Sequence, residues 1–97
     1  MTNLVRSAQF DADLYDIWQQ IARRHVPTAD RVTEEIEAVI ELATGFPGMG
    51  TPVPHLAPNL RRLRSGPYLI YYRLEANELW LIRVLNGRRK ITSSQFQ

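Results

Sequence analysis

Two stretches in the first half of the chain repeat their apolar residues at the spacing of an amphipathic helix. In residues 8–24 these positions are Phe10, Leu14, Ile17, Trp18 and Ile21. A second stripe follows Pro27 and consists of Ala29, Val32, Ile36, Val39, Ile40 and Ala43. Because the period of about 3.6 residues puts each stripe on one helical face, the pattern predicts two helices. Ser7 is placed to cap the first helix, and Pro27 suits the first turn of the second. The short connection between them predicts an antiparallel helical hairpin.

The remainder of the chain has the pattern of β-strands. Segment 4–7 is short and β-prone, which predicts an edge strand before the first helix. Residues 46–59 contain four prolines and two glycines, which favours a crossing loop. Alternation then predicts strands over 60–65, 68–75 and 78–85, separated by turns. The result is one α+β domain spanning residues 1–97, in the order β-α-α-β-β-β. We expect the helical hairpin to pack on one face of a small antiparallel sheet.

Strand alternation also predicts which side chains face the helices. The self-consistent arrangement turns five strand residues toward the helical hairpin, namely Leu63, Ile70, Tyr72, Ile82 and Val84. The opposite, open face then carries four arginines and three apolar or aromatic side chains, namely Arg62, Arg64, Arg73, Arg83, Leu69, Tyr71 and Leu81. Such a face should not remain bare in water, so we expect something to cover it.

The charge of the chain is strongly divided. Residues 61–90 contain eight of the twelve basic residues and two of the ten acids, which gives this segment a net charge of +6. Residues 1–60 contain four basic and eight acidic residues and are net −4. Arg88 and Arg89, next to Lys90, extend the basic set past the last predicted strand. The overall charge of +2 therefore conceals a dipolar molecule with a candidate surface for an anionic partner.

Several classes of protein are disfavoured by composition. The chain contains no cysteine, which excludes disulfides and thiolate metal sites. Its two histidines, His25 and His55, are far apart and lack ligand spacing, so we expect neither a metal nor another cofactor. The N-terminus lacks the long apolar run of a signal peptide, and no segment is apolar enough to span a membrane. We therefore expect a cytoplasmic protein that does not contact membranes.

The order and spacing of short motifs resemble a known family nearly end to end. The matching segments are Asp13-Leu14-Tyr-Asp-Ile17-Trp18, Ala29-Asp30-Arg31, Leu42-Ala43, Pro47-Gly48-Met49-Gly50, Leu60-Arg61-Arg62-Leu63, Gly66-Pro67-Tyr68-Leu-Ile-Tyr-Tyr-Arg73, Ile82-Arg83-Val84-Leu85 and Arg88-Arg89. Together they look like the RelE/ParE superfamily of bacterial type II toxins, and most like its ParE branch. The resemblance implies the β-α-α-β-β-β fold and neutralisation by an antitoxin that wraps the toxin. Members of the RelE branch cleave messenger RNA on the ribosome, whereas members of the ParE branch inhibit DNA gyrase.

The residues favour the ParE branch. Cleavage of RNA needs groups that take up and give back protons, and arginine is a poor proton shuttle because its pKa is so high. Where RelE nucleases tend to carry a further arginine, this chain has Leu69, and their C-terminal tyrosine is missing from the tail around Phe96. No histidine lies in the basic segment. We therefore expect charge for binding without groups for catalysis.

The resemblance thus implies a non-enzymatic, ParE-like toxin that binds DNA gyrase and is held inactive by a ParD-like antitoxin in a hetero-oligomer. The residues expected to contact the target or the antitoxin are Arg62, Arg64, Leu69, Tyr71, Arg73, Leu81, Arg83, Arg88 and Arg89. No catalytic or metal-binding residue is assigned, and no direct sequence-specific binding to nucleic acid is expected. Two alternatives stay open: a RelE-like ribosome-dependent ribonuclease that uses the same face, and a binding module that has lost its toxicity.

Overall fold

The computed structural model describes residues 2–97, so that Met1 of the predicted domain 1–97 lies outside the described residues. Its elements are β1 (Asn3–Arg6), α1 (Ala8–Ala22), α2 (Val26–Gly45), β2 (Thr51–Pro52), β3 (Leu60–Ser65), β4 (Tyr68–Glu75), β5 (Glu78–Asn86) and a 3₁₀ turn (Ser93–Phe96). The strands form one sheet in the order β1-β5-β4-β3-β2. The helical hairpin packs on one face of this sheet, which confirms the predicted α+β class and the predicted order of the main elements.

Two details of the sheet differ from the expectation. Strands β3, β4 and β5 pair antiparallel, as predicted, but β1 pairs parallel to β5, so that the sheet is mixed. A four-residue strand carries no pattern that reveals the direction of its partner. The second detail is β2, which lies within the proline-rich loop and pairs with Arg61 and Arg62. Pro52 is tolerated there because β2 is an edge strand.

The first helix begins at the predicted cap, Ser7, and the second has the predicted Pro27 in its first turn but is capped by His25, which was not predicted as a cap. The Ser7 hydroxyl accepts a hydrogen bond from the Phe10 amide at 3.0 Å and donates to the Ile82 carbonyl at 3.1 Å. The His25 imidazole accepts a hydrogen bond from the Thr28 amide at 3.2 Å, and Pro27 lies in the first turn of α2. Because Ser7 bonds to both α1 and β5, the same hydroxyl starts the helix and fixes it to the sheet.

The larger core lies between the sheet and the helices. Its buried residues are Phe10, Ile36, Ile40, Ala43, Leu63, Ile70, Tyr72, Leu79, Leu81 and Val84. Leu63, Ile70, Tyr72 and Val84 therefore face the helices, as predicted. Leu81 and Ile82 are exchanged relative to the prediction. Leu81 is buried in this core, whereas Ile82 packs on the opposite face.

An irregularity in β5 explains the exchange. Tyr71 lies opposite Arg83, but the next residue, Tyr72, lies opposite Leu81. The extra residue, Ile82, therefore has no partner on β4, which is the arrangement of a β-bulge. An extra residue reverses the facing of every side chain on one side of it, because side chains alternate with a period of two. The facing predicted by strict alternation was therefore wrong for the β5 residues that precede Arg83, because the bulge at Ile82 interrupts the alternation.

The chain itself covers the face of the sheet that was expected to be open. A second buried cluster there consists of Val53, Leu60, Leu69, Tyr71, Leu85 and Phe96, with Leu56, Ala57, Ile82 and Ile91 packed around it. The covering residues come from the loop at 46–59 and from the C-terminal segment at 91–97. The Phe96 ring lies 4.6 Å from the Tyr71 ring, centroid to centroid. A cover was predicted, and the structure shows that part of it is intramolecular.

Arg6 attaches β1 to both helices. Its Nε donates to Asp11 at 2.9 Å, its two terminal nitrogens donate to Glu37 at 2.9 and 3.1 Å, and its guanidinium lies 5.1 Å from the centroid of the Phe10 ring. Burial acts to lower the pKa of Arg6, but the hydrogen bonds to Glu37 and Asp11 outweigh it and the pKa is raised. One side chain thus connects the edge strand with residues from α1 and α2.

Tyr72 anchors the loop that follows α2. Its hydroxyl donates to the Pro47 carbonyl at 2.6 Å and accepts from the Gly50 amide at 3.0 Å. A Cβ atom on residue 50 would lie 2.6 Å from that hydroxyl, so the close approach requires glycine. Burial raises the pKa of Tyr72, while the hydrogen bond from Gly50 and the charge of Arg61 partly offset the increase.

We expect Tyr72→Phe to lower the free energy of unfolding by about 2 kcal/mol, because Pro47 and Gly50 lose their buried partner. Urea denaturation at neutral pH measures this. Tyr15→Phe is the control, since Tyr15 is 60% exposed.

The raised pKa of Tyr72 also predicts a pH dependence. Its contribution to the free energy of unfolding is complete below the ordinary value of 10.0 and is lost as pH rises beyond it. The stability of the parent should therefore fall more steeply above about pH 10 than that of Tyr72→Phe. Parallel pH profiles, or equal losses in the two variants, would contradict this role.

Candidate functional site

Strand register brings the basic residues of separate segments to one end of the sheet. Ser65, Tyr68 and Asn86 lie side by side, at the end of β3, the start of β4 and the end of β5. The Gly87 amide then donates to the Pro67 carbonyl at 2.8 Å. The turn after β5 is thereby held against the turn between β3 and β4.

Four exposed cations lie at this end of the sheet, and we call them the basic end: Arg64, Arg88, Arg89 and Lys90. The turn that carries three of them is held by Asn86. Its side-chain oxygen accepts from the Arg88 amide at 2.9 Å, and its carbonyl accepts from the Arg89 amide at 3.0 Å. Within residues 2–97 none of the four forms an ion pair, although Arg89 lines a shallow pocket together with Asp13 and Asp16 of α1.

Two further predicted arginines lie on the sheet face opposite the helices, farther along the strands from the basic end. Arg62 is half-buried and lies opposite Tyr71 on β4 and Thr51 on β2. Arg73 lies opposite Leu60 and Trp80, five residues from the start of β4, which is about 16 Å at the rise of an extended strand. Its Nε is buried without a hydrogen-bond partner in the described chain and lies 3.8 Å from Glu75. Arg73 is therefore separate from the basic end.

Arg83 has a different environment from the other predicted site residues. Its Nε and one terminal nitrogen donate to the Asp13 carboxylate at 2.7 and 2.9 Å, and its other terminal nitrogen donates to the Gln95 carbonyl at 3.3 Å. The same carboxylate accepts from the Val84 amide at 3.2 Å. The pKa of Arg83 is raised by the hydrogen bonds to Asp13, against the effect of burial. Arg83 therefore joins α1, β5 and the C-terminal segment.

The three apolar and aromatic residues predicted for the open face are not exposed. Leu69 and Tyr71 lie on the expected face, but they are 6% and 0% exposed beneath the chain's own cover. Leu81 is 1% exposed and lies on the helix side because of the bulge. The placement of these three side chains as an accessible contact surface was wrong. The Tyr71 hydroxyl is buried without a partner in the described residues.

Two participants in this region were missing from the predicted site. Lys90 belongs to the basic end, and its signal was present in the sequence as the last member of the basic run. Asp13 forms the ion pair with Arg83, which lies 70 residues away in the chain. No local pattern reports a pairing over that separation.

The described residues supply no arrangement for a metal ion and no membrane span. Within 2–97 no three His, Cys, Asp or Glu side chains are grouped so that they could hold a metal. Neither α1 nor α2 is long and apolar enough to cross a bilayer. What the site offers is positive charge on a rigid sheet end, which suits the recognition of an acidic surface.

Comparison with known proteins agrees across sequence and structure. A family model described as the ParE toxin of type II toxin–antitoxin systems, parDE, matches residues 4–91. Toxin ParE1 of Caulobacter vibrioides is 37% identical over 81 residues, which are 82% of this chain and 83% of the relative. Toxin ParE3 of the same organism is 26% identical over 94 residues, covering 96% of this chain and 94% of the relative.

A solved structure described as the chromosomal ParDE TA system from P. aeruginosa superposes with a TM-score of 0.76. The match covers 89% of this chain and 96% of the other, at 21% sequence identity. At this level of sequence identity, the superposition shows that the two chains share a fold.

We expect Asp13→Asn to lower the free energy of unfolding by about 3 kcal/mol, because it leaves the poorly exposed Arg83 guanidinium without its carboxylate. Glu35→Gln is the matched control. It removes the acid of the exposed pair with Arg31, and the loss should stay within about 0.5 kcal/mol. Urea denaturation of both variants measures the difference. Equal losses would show that the pair of Asp13 and Arg83 behaves as an ordinary surface pair.

Proposed function

The chain belongs to the ParE toxin family of type II toxin–antitoxin systems, and we propose that it arrests bacterial growth by binding DNA gyrase through its basic end. We further propose that it acts in the cytoplasm and that a ParD-type antitoxin neutralises it in a hetero-oligomer. Family membership supports the choice of gyrase and of the antitoxin.

The concentration of positive charge at one end of the sheet supports this choice of binding surface. Arg64, Arg88, Arg89 and Lys90 are exposed and unpaired within residues 2–97, on turns that are held together by backbone hydrogen bonds. A concentrated patch of one sign steers an oppositely charged protein surface toward it and selects its orientation. Arg62 lies farther along the same face and extends this surface toward the middle of the sheet.

We propose a mechanism of binding without catalysis and without a cofactor. Tyr71 lies on the sheet face opposite the helices, beneath Phe96, and is 0% exposed. A bound RNA would therefore not reach its hydroxyl. The side chains of the basic end are all arginine or lysine, residue types that stabilise negative charge but are poor proton shuttles. Inhibition would then follow from occupation of the target.

We expect the double variant Arg88→Ala, Arg89→Ala to inhibit supercoiling by purified gyrase about tenfold less strongly than the parent, because two charges of the contact surface are removed. The matched control is Arg23→Ala, Arg24→Ala. It also removes two adjacent, exposed arginines, but from the end of α1. Circular dichroism and urea denaturation should show that both variants keep the fold. The control should inhibit gyrase within about twofold of the parent.

Induced expression without antitoxin provides the cellular counterpart. The parent and the control should arrest growth, and the variant at residues 88 and 89 should not. Arrest by all three proteins would reject the basic end as the target surface. New 5′ ends in message incubated with ribosomes and the purified protein would instead establish a ribonuclease. Binding of the antitoxin without any growth arrest would establish a module that has lost its toxicity.

A further inference from the structure

The basic end carries positive charge without an exposed apolar side chain beside it. Tyr68, which begins β4 at this end, is half-buried and packs against the core under the helices. Leu69 and Leu85, which pair across β4 and β5, are 6% and 1% exposed. Among residues 2–97 the large apolar side chains that are exposed lie elsewhere, on β1, the helices, the loop after α2 and the first part of β5: Leu4, Tyr15, Val26, Leu42, Phe46, Met49 and Trp80.

This composition distinguishes two kinds of anionic partner. The centre of a protein–protein interface is depleted of charged residues and enriched in aromatic residues that fill pockets on the partner. Interfaces with duplex DNA are more polar and much more positively charged, and most of their hydrogen bonds go to the sugar–phosphate backbone. The basic end has the second composition. Three of its four cations are arginines, and a guanidinium binds phosphate oxygens through two parallel hydrogen bonds.

The strand spacing makes the basic end wide enough to meet several phosphates. β3 and β5 flank β4, so at the usual separation of neighbouring strands they lie about 10 Å apart. About 10 Å of duplex axis carries about six phosphates. Arg64 lies near the end of β3 and Arg88 follows β5, so cations on both sides of β4 can contact one backbone region. The hydrogen bond from Gly87 to Pro67 already holds the two turns together, which lowers the cost of ordering them on binding.

The rest of the molecule favours the same orientation toward a polyanion. Residues 1–60 are net −4, and the exposed acids of α2 would repel phosphates that approach from the helical side. Arg61 and Arg83 are engaged within the chain, by the Gly50 carbonyl at 2.7 Å and by Asp13. Arg89 lines a pocket with Asp13 and Asp16, so Arg64, Arg88 and Lys90 are the freest members of the basic end.

We infer that the basic end binds the phosphate backbone of duplex DNA, and that in the complex with gyrase it lies on the DNA that the enzyme holds. This inference rests on the proposed function and specifies which anionic component of the target the basic end meets. Cations that contact phosphates fix position and orientation but carry no sequence information. The contact therefore reads charge and spacing without reading bases.

The salt dependence of DNA binding tests the occupant. The probe is a fluorescein-labelled duplex of about 20 base pairs, titrated with the full chain and followed by fluorescence anisotropy. Four phosphate contacts predict a slope of about −3.6 for the logarithm of the association constant against the logarithm of salt concentration. The affinity should then fall about a hundredfold between about 50 and 200 mM salt. A duplex of the same length and shuffled sequence should bind within about twofold of the first.

A pair of variants with equal net charge locates the contact. Arg64→Ala, Arg88→Ala removes one cation from each of the two turns and should reduce the slope to about −1.8. The matched control is Arg23→Ala, Arg24→Ala, which removes two exposed arginines from the end of α1 and should keep the slope of the parent. Urea denaturation checks that both variants are folded. Equal slopes for the two variants would show that DNA responds only to total charge, and would overturn the inference.

Binding to gyrase with and without DNA separates this inference from the function on which it rests. The parent should bind gyrase loaded with duplex DNA about tenfold more tightly than gyrase alone, and Arg64→Ala, Arg88→Ala should lose this difference. If the parent binds both forms of gyrase equally and inhibits supercoiling, the basic end meets an acidic protein surface, so the inference fails and the proposed function stands. If the parent binds neither form, the proposed function fails together with the placement on DNA held by gyrase.

Discussion

The ion pair between Asp13 and Arg83 is the contact on which the arrangement of this molecule depends. One carboxylate receives the guanidinium and the backbone amide of Val84, and the guanidinium also donates to the Gln95 carbonyl. Three segments that are distant in sequence therefore meet at a single pair of side chains. A poorly exposed pair of this kind loses hydration on folding, so its net contribution to stability is small when it is intact. It favours one geometry over others, because either partner alone would leave a charge without compensation.

The bulge at Ile82 lies directly before Arg83 in β5. Before the bulge, Leu79 and Leu81 pack against the helices, and after it Val84 does. The residue between, Arg83, lies opposite Tyr71, in the part of β5 beyond the end of β1. There the edge of β5 is free of a neighbouring strand, so the α1 carboxylate can reach both the Val84 amide and the Arg83 side chain. A regular strand would have kept Leu81 on the covered open face and removed it from the helix core.

Local patterns were sufficient for the elements of this fold and insufficient for their facing. Helical spacing, the cap at Ser7 and the turns at residues 66–67 and 76–77 predicted segments that the structure reproduces within a few residues. The same information placed Leu81 and Ile82 on the wrong faces, because a bulge is caused by packing between strands and leaves no period in the sequence. The exposed cations at 88–90 could be predicted, since a basic turn that follows a strand has few places to be buried. The pairing of Arg83 with Asp13 depends on a residue that is distant in sequence, as does the burial of Tyr71 under Phe96.

The separation of charge has a consequence for neutralisation under the proposed function. The exposed acids of α2 lie on the helical hairpin, while the basic end lies where β3, β4 and β5 meet their turns. The molecule measures 40 Å along its longest axis, which about 12 extended residues can span at ~3.3 Å each. One antitoxin segment can therefore contact the acidic surface of α2 and still reach the basic end. The first contact would orient the segment through opposite charge, and the second would occlude the arginines. Two moderate contacts joined by a short connection bind far more tightly than either alone, because the second becomes intramolecular. An inhibitor built in this way needs no deep pocket on the toxin. It therefore suits a chain of 97 residues whose sheet is covered on both faces.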